Sequence, residues 1–329
     1  MMRPWLHRFA WFTAGCTFVL IVAGGLVTST GSGLSVPDWP LSYGTLMPPM
    51  VAGIFYEHGH RMIASFVGLL TVCLAVWVWR VEPRRWVRLL SLAALVAVVV
   101  QGIIGGLTVI YLLPTALSVT HACLAQTFFC ATLVLALALR PGGQDLTSAE
   151  SEAAARVRKP ALILFVVIYV QLILGALVRH TEAGLAIPDF PLSFGHLFPP
   201  LSELSTNPNA PYPIPLAELK RRVMTHYLHR VWAVAATGVV FWFAWCVIRR
   251  ASEVAGLVQL ATSLVALVVV QVLLGASVVW SQKGVAITTA HVAVGAAILG
   301  TCAVAVAMSR GWVPVSSSSA RMPLGEPAS

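Results

Sequence analysis

The chain has 329 residues, 58% of them hydrophobic and only 10% charged. That balance excludes an ordinary soluble domain, whose composition is about a quarter charged. The formal net charge of +9 comes mostly from a loop bias described below, so it argues poorly for nucleic-acid binding.

Eight stretches without Asp, Glu, Lys or Arg follow in chain order, at about 10–27, 62–79, 89–113, 122–139, 160–178, 231–248, 255–280 and 285–308. A spanning helix needs roughly 20 apolar residues, and each stretch reaches that once its flanks are counted. Backbone inside lipid must satisfy its own hydrogen bonds, so these stretches predict helices. The alternating pattern of a transmembrane barrel is absent. The predicted fold class is therefore an all-α membrane protein with eight transmembrane helices.

Arg3 and Arg8 precede the first stretch, and no small-residue cleavage site follows it. It reads as a retained helix and not as a signal peptide. The side that carries both termini and loops 80–88, 140–159 and 249–254 holds 14 of the 21 Lys and Arg. The positive-inside rule then places both termini in the cytoplasm. Cys16, Cys73, Cys123, Cys130, Cys246 and Cys302 all fall in the apolar stretches and form no CxxC pair. They read as small buried hydrophobes.

The outer loops repeat. GLSVPDWPLSYGTLMPP at 33–49 returns as GLAIPDFPLSFGHLFPP at 184–200. Gln101-Gly102-Ile103-Ile104-Gly105 returns as Gln271-Val272-Leu273-Leu274-Gly275, His60-Arg61 as His229-Arg230, and Thr120-His121 as Ala290-His291. A duplicated four-helix unit follows. Residues 1–140 form an N-terminal bundle, 141–159 a cytoplasmic linker, 160–310 a C-terminal bundle and 311–329 a cytoplasmic tail. Each unit has an even number of spans, so the halves share one orientation about a pseudo-twofold axis along the membrane normal. The proline-rich STNPNAPYPIP, 205–215, predicts an irregular outer loop.

Four of the nine histidines occupy repeat-equivalent places: His60, His121, His229 and His291. Each falls at the outer beginning of an even-numbered helix. Ionisable groups in a membrane mark function by default. Two imidazoles from facing helices, without a nearby cysteine or carboxylate set, suit axial ligation of haem iron in a bundle core. Zinc would want three or four protein ligands. The bland alternative is four helix-capping histidines, which the duplicated pattern disfavours. Arg61 and Arg230 follow two of these histidines, and an arginine fork reads carboxylates such as haem propionates. Lys220, Arg221 and Arg222 form a positive cluster on the outer side, open to a propionate or headgroup role or to simple interfacial snorkelling.

Glu57 lies three residues before His60, on the same helix face if the helix begins that early. Its repeat counterpart is His226. A carboxylate there suits proton transfer, and the alternative is a favourable charge at a helix N-terminus. Asp38 and Asp189 sit within PDWP and PDFP, either in lids over the two centres or as loop-folding and capping residues. His7, His58, His180 and His196 read as polar surface.

Together these motifs resemble the haem A synthase family over about 10–308: eight spans in duplicated halves, ExxHR at the second helix, TH at the fourth, HR at the sixth, AH at the eighth, and two GLxxPDxPLSxG loops. The resemblance implies a bacterial cytoplasmic-membrane oxidoreductase that oxidises the C8 methyl of haem O to a formyl group, giving haem A for cytochrome oxidase. It implies that His60 and His121, with Arg61, hold the substrate haem O. His229 and His291, with Arg230, would hold a haem b cofactor, and Glu57 would be the catalytic carboxylate. Haem O synthase becomes the expected partner that supplies haem O. Several bacterial members carry a cysteine pair in the first outer loop, whereas loops 29–57 and 179–225 here contain none, so no thiol relay there passes electrons on. Two rivals remain at this stage. One is a dihaem quinol-linked electron-transfer cytochrome, and the other is a transporter built from tandem bundles, which would show broken helices and midplane charges.

Overall fold

The computed structural model describes residues 2–141, 147–206 and 214–312. Its long helices are α1 (Met2–Ser29), α2 (Ala52–Val81), α3 (Arg85–Ile110), α4 (Thr115–Ala138), α6 (Arg158–His180), α7 (Leu216–Arg250), α8 (Ala255–Trp280) and α9 (Val285–Ser309), with a short α5 (Ser148–Arg156) between the halves. All eight long helices are long and apolar enough to cross a membrane.

The helices outrun the charge-free stretches. α2 begins at Ala52 and α7 at Leu216, so Glu57, His60, Arg61, His226, His229 and Arg230 lie on helix and not before it. The polar groups are tolerated because they face protein and because a helix satisfies its own backbone wherever its side chains point. Pro114 and Pro215 stand immediately before α4 and α7, where a missing N–H costs no helical bond. Arg80, Arg249 and Arg250 lie in the last turns of α2 and α7, next to the negative end of the helix dipole.

Each half is a closed ring of four. α1 packs on α2, α2 on α3, α3 on α4 and α4 on α1; α6 to α9 repeat the pattern. The halves meet through α1 with α9, α4 with α9, and α4 with α6. Exchanging α1 for α6 and α4 for α9 reproduces the same set, as the expected pseudo-twofold axis requires. The hairpin turns obey it too. Leu112 and Leu113 between α3 and α4 both have positive φ (58° and 60°), and so do Gln282 and Lys283 between α8 and α9 (53° and 64°).

The largest buried apolar cluster lies toward the end that carries the termini, through Leu6, Val78, Leu135, Leu164, Phe243 and Leu299. That leaves the opposite end of each bundle for polar groups. The linker is not all loop. A capping box, Thr147 with Glu150, starts α5, and Ala153 and Ala154 bury against the core. The segment 207–213 within the proline-rich outer loop and the tail from 313 onward lie outside the described residues. Cysteine burial is mixed: Cys130, Cys246 and Cys302 are buried, but Cys73 is exposed on α2.

Candidate functional site

The four repeat-equivalent histidines sit deeper than the sequence suggests. His60 is in the third turn of α2, His229 in the fourth of α7, and His121 and His291 in the second turns of α4 and α9. Each imidazole lies against a glycine of the helix before its own. A β-carbon at Gly24 would stand 3.1 Å from Cε1 of His60, at Gly105 2.9 Å from His121, at Gly175 3.2 Å from His229 and at Gly275 3.2 Å from His291. A side chain there would have to push the ring away, so the glycines cut the cradle in which each ring stands.

Four residues before three of those glycines stands a glutamine: Gln101, Gln171 and Gln271. At this spacing the pair shares a helix face. Gln101 Nε2 donates to the His121 carbonyl at 3.0 Å. Gln171 Nε2 donates to the His229 carbonyl at 3.2 Å and lies 3.2 Å from its Nδ1. Gln271 Nε2 lies 3.4 Å from His291 Nε2. The sequence held this signal as a repeated QxxxG, but only the packing shows what it faces.

Several of these groups lack partners. Nδ1 of His60, His121 and His291 and Oε1 of all three glutamines are buried without a hydrogen bond. Buried polar atoms left unpaired are costly and call for an explanation. Within each half the two histidines are close enough to interact electrostatically, His60 with His121 and His229 with His291. No cluster of three or more His, Cys, Asp or Glu suited to a metal ion occurs among the described residues. Two paired imidazoles with unspent nitrogens in a glycine-lined cradle fit a group that supplies its own equatorial ligands, as haem does, and do not fit zinc.

The outer loops are fastened above these pairs by one device used twice. Arg61 donates through Nη1 to the carbonyls of Asp38 (2.7 Å) and Leu41 (3.1 Å) and through Nη2 to that of Val36 (3.1 Å). Arg230 does the same to Asp189 (2.7 Å), Leu192 (3.0 Å) and Ile187 (3.3 Å). The forks are occupied with holding loops. Glu57 is buried; its Oε1 pairs with Arg61 Nη2 at 2.6 Å and its Oε2 accepts from the Val36 amide at 2.8 Å. His226, also buried, has Nδ1 3.4 Å from the Ile187 amide and Nε2 3.1 Å from Arg230 Nε, and as a neutral ring it accepts from one of the two. A carboxylate in one half and a neutral ring in the other thus fasten equivalent loops.

Asp38 and Asp189 cap no helix. The Asp38 carboxylate accepts the amides of Tyr43 (2.7 Å) and Gly44 (2.8 Å), and Asp189 those of Phe194 (2.7 Å) and Gly195 (2.8 Å). Tyr43 and Gly44 have φ of 53° and 69°, Phe194 and Gly195 of 57° and 76°. Two successive positive φ values are what a type I′ turn requires. The Gly44 and Tyr43 amides hold the Asp38 carboxyl below the usual carboxylate range. Trp39 lies where a β-carbon on Gly106 would come within 2.5 Å; the repeat places Phe190 opposite Ala276, a smaller ring against a larger neighbour.

His58 is not surface. It is buried, and its Nδ1 lies 2.8 Å from Ser42 Oγ. His7 Nδ1 donates to the Ala136 carbonyl at 2.9 Å, His180 is half-buried, and His196 is exposed. In the basic cluster, Arg221 and Arg222 both pair with Glu218, at 2.6 and 2.8 Å.

The fold defines a duplicated helical membrane protein with a pair of histidines toward one end of each half. The chain belongs to the COX15-CtaA family, described as cytochrome oxidase assembly protein, whose model matches residues 7–54 and 50–303. It is similar to the Heme A synthase of Alkalihalophilus pseudofirmus, 28% identical over 297 residues, covering 88% of this chain and 92% of the relative. The Heme A synthase of Sphingopyxis alaskensis is 28% identical with 92% and 91% covered. That of Symbiobacterium thermophilum is 33% identical over 195 residues, 56% of this chain and 63% of the relative.

Proposed function

We propose that this protein is a haem A synthase of a bacterial cytoplasmic membrane, an oxidoreductase that converts the C8 methyl of haem O to a formyl group by successive hydroxylations. The observation that carries the reading is the fourfold glycine–histidine cradle, three of whose rings keep a buried nitrogen without a partner, in a chain that its relatives match nearly end to end. His60 and His121 hold the substrate haem O; His229 and His291 hold a resident haem b. Haem iron supplies the redox chemistry when bound.

The chain's own part is to orient and to manage charge. Gly24, Gly105, Gly175 and Gly275 let the imidazoles stand inward. Arg61 and Arg230 act on the bound groups through the loops they fasten, which close each site from water. We assign Glu57 Oε1, held by Arg61, as the acceptor of the proton that each oxidation of the methyl carbon releases; the two electrons of each step would leave by way of the haem irons to an acceptor outside the chain. His226 at the equivalent place cannot supply a negative charge. That difference supports chemistry in the N-terminal half and electron storage in the other. A dihaem electron carrier would need no such inequality. Haem O synthase is the class of enzyme that supplies the substrate, and both termini face the cytoplasm.

Extraction of the pigments from purified protein tests the reading. Haem b together with haem O or haem A is expected, with loss of most haem b in His229→Ala and His291→Ala. Haem b as the sole pigment in cells that make haem O would reject the synthase reading.

A further inference from the structure

The repeat predicts four equivalent surroundings for four histidines, and one differs. Against His121, His229 and His291 the preceding helix presents a glutamine and, four residues on, a glycine. Against His60 it presents Leu20 and Gly24. The Leu20–Gly24 pair of α1 is the register equivalent of Gln171–Gly175 of α6. The lone departure falls on one ligand of the N-terminal pair.

An imidazole that gives its Nε2 lone pair to iron keeps its proton on Nδ1, and that N–H needs an acceptor to fix the ring. Gln171 can provide it. Its Nε2 stands 3.2 Å from His229 Nδ1, while its Oε1 is buried without a partner. A half-turn of the amide, whose O and N are nearly alike in shape, puts Oε1 on Nδ1–H in exchange for the 3.2 Å bond from Nε2 to the His229 carbonyl. Gln101 and Gln271 carry the same unspent Oε1 beside His121 and His291. Leu20 has no side-chain acceptor. α1 offers His60 the Leu20 backbone carbonyl, as α3 and α8 offer His121 and His291 those of Gln101 and Gln271, but it adds no side-chain acceptor, and His60 Nδ1 makes no hydrogen bond.

We infer that Gln171 is the positioning residue that locks His229, and that Leu20 in its place leaves His60 as the ligand that lets go, so the C-terminal site retains its haem while the N-terminal site exchanges it. This rests on the reading that the two histidine pairs hold haem. It adds what that reading lacks, a reason why two sites of one repeat differ in residence time. Product must leave the enzyme; cofactor must not.

Haem transfer from the full-length purified protein to excess apomyoglobin measures both dissociation rates. Gln171→Leu is expected to lose haem b roughly 10–100-fold faster, the usual cost of removing a partner behind a metal ligand. Leu20→Gln is expected to slow loss of added haem O by about tenfold. Gln171→Glu keeps an acceptor and adds charge, so it retains haem b and lowers its midpoint potential, a readout that a purely structural role would leave unmoved. Wild-type transfer rates in both Gln171→Leu and Leu20→Gln, with haem b still lost from His229→Ala, would overturn the inference and leave the function standing. Full haem b in His229→Ala and His291→Ala would overturn the reading beneath it. If Gln171→Leu does not accumulate, an unchanged potential in Gln171→Glu decides against the inference.

Discussion

Gly105 and His121 meet so closely that a single methyl group on the glycine would stand 2.9 Å from the ring's Cε1. Real β-carbons do not approach that near. Gly105→Ala is therefore expected to swing His121 off its axis and abolish haem O binding, although alanine is the better helix former. Gly102, on the same helix, has nothing within 4 Å of a built β-carbon. Gly102→Ala should leave binding intact and stabilise α3 by about 1 kcal/mol. Optical titration with haem O distinguishes the two. Equal binding by both variants would remove the cradle from the argument.

Glu57 and His226 fasten equivalent loops with different chemistry, which separates structure from catalysis. Glu57→His copies the C-terminal solution into the N-terminal half. The loop should stay closed and haem b should stay bound at wild-type stoichiometry. Haem A formation should fall by about 10²–10⁴-fold, the usual loss on removing an acid–base group. Glu57→Gln keeps an oxygen for the Val36 amide but leaves the Arg61 charge uncompensated, and should cost roughly 1–3 kcal/mol of stability. Substantial haem A from Glu57→His would reduce Glu57 to a loop fastener.

The Asp38 turn sets a pH limit for the outer loop. The Gly44 and Tyr43 amides depress the folded value of this carboxyl below its unfolded value of about 3.9. Its stabilisation is therefore present above roughly pH 4 and lost as pH falls through the folded value. Limited proteolysis of loop 30–51 should show protection from pH 8 down to about 5 and cleavage well below 4. Asp38→Ala should be cleaved at pH 7. Protection of that variant at pH 7 would show that Arg61 and Glu57 hold the loop without the turn.

Sidedness can be read with single cysteines. Ser42 looks like a convenient loop position in the sequence, but it is buried against His58. Leu46, 83% exposed, is the better reporter. Leu46→Cys should react with an impermeant thiol reagent in intact cells, and Ser252→Cys only after the membrane is opened. The reverse pattern would invert the charge-based orientation.

Fold class, helix number, duplication and the four paired histidines were legible because each is written as a local pattern: an apolar run, a repeated string, an offset that recurs. The helix starts were not. Charge marks where lipid ends, whereas a helix continues as long as its backbone is satisfied, and α2 begins ten residues before its charge-free stretch. The partners of the arginines are not written locally. A fork suits any planar pair of acceptors, and Arg61 and Arg230 found theirs in loop carbonyls. His58 reads as surface in the sequence because nothing local says that Ser42 folds back onto it. The QxxxG strings were visible as repeats, but their meaning depends on which helix packs beside which.

The contact between the halves has a consequence for ancestry and for engineering. Because α1 meets α9 as α6 meets α4, and α4 meets α9 across the axis, each half offers the other the same face. An interface of that kind is isologous, the kind by which two identical chains close into a dimer. A single four-helix gene product with this face would already have been a symmetric pair, each member carrying its own two histidines. Fusion through the linker released the copies from identity, so that one can hold leucine where the other holds glutamine. Cutting the chain between α4 and α5 should undo only the covalent step: the two fragments, made together in one membrane, should find each other and form one two-site molecule.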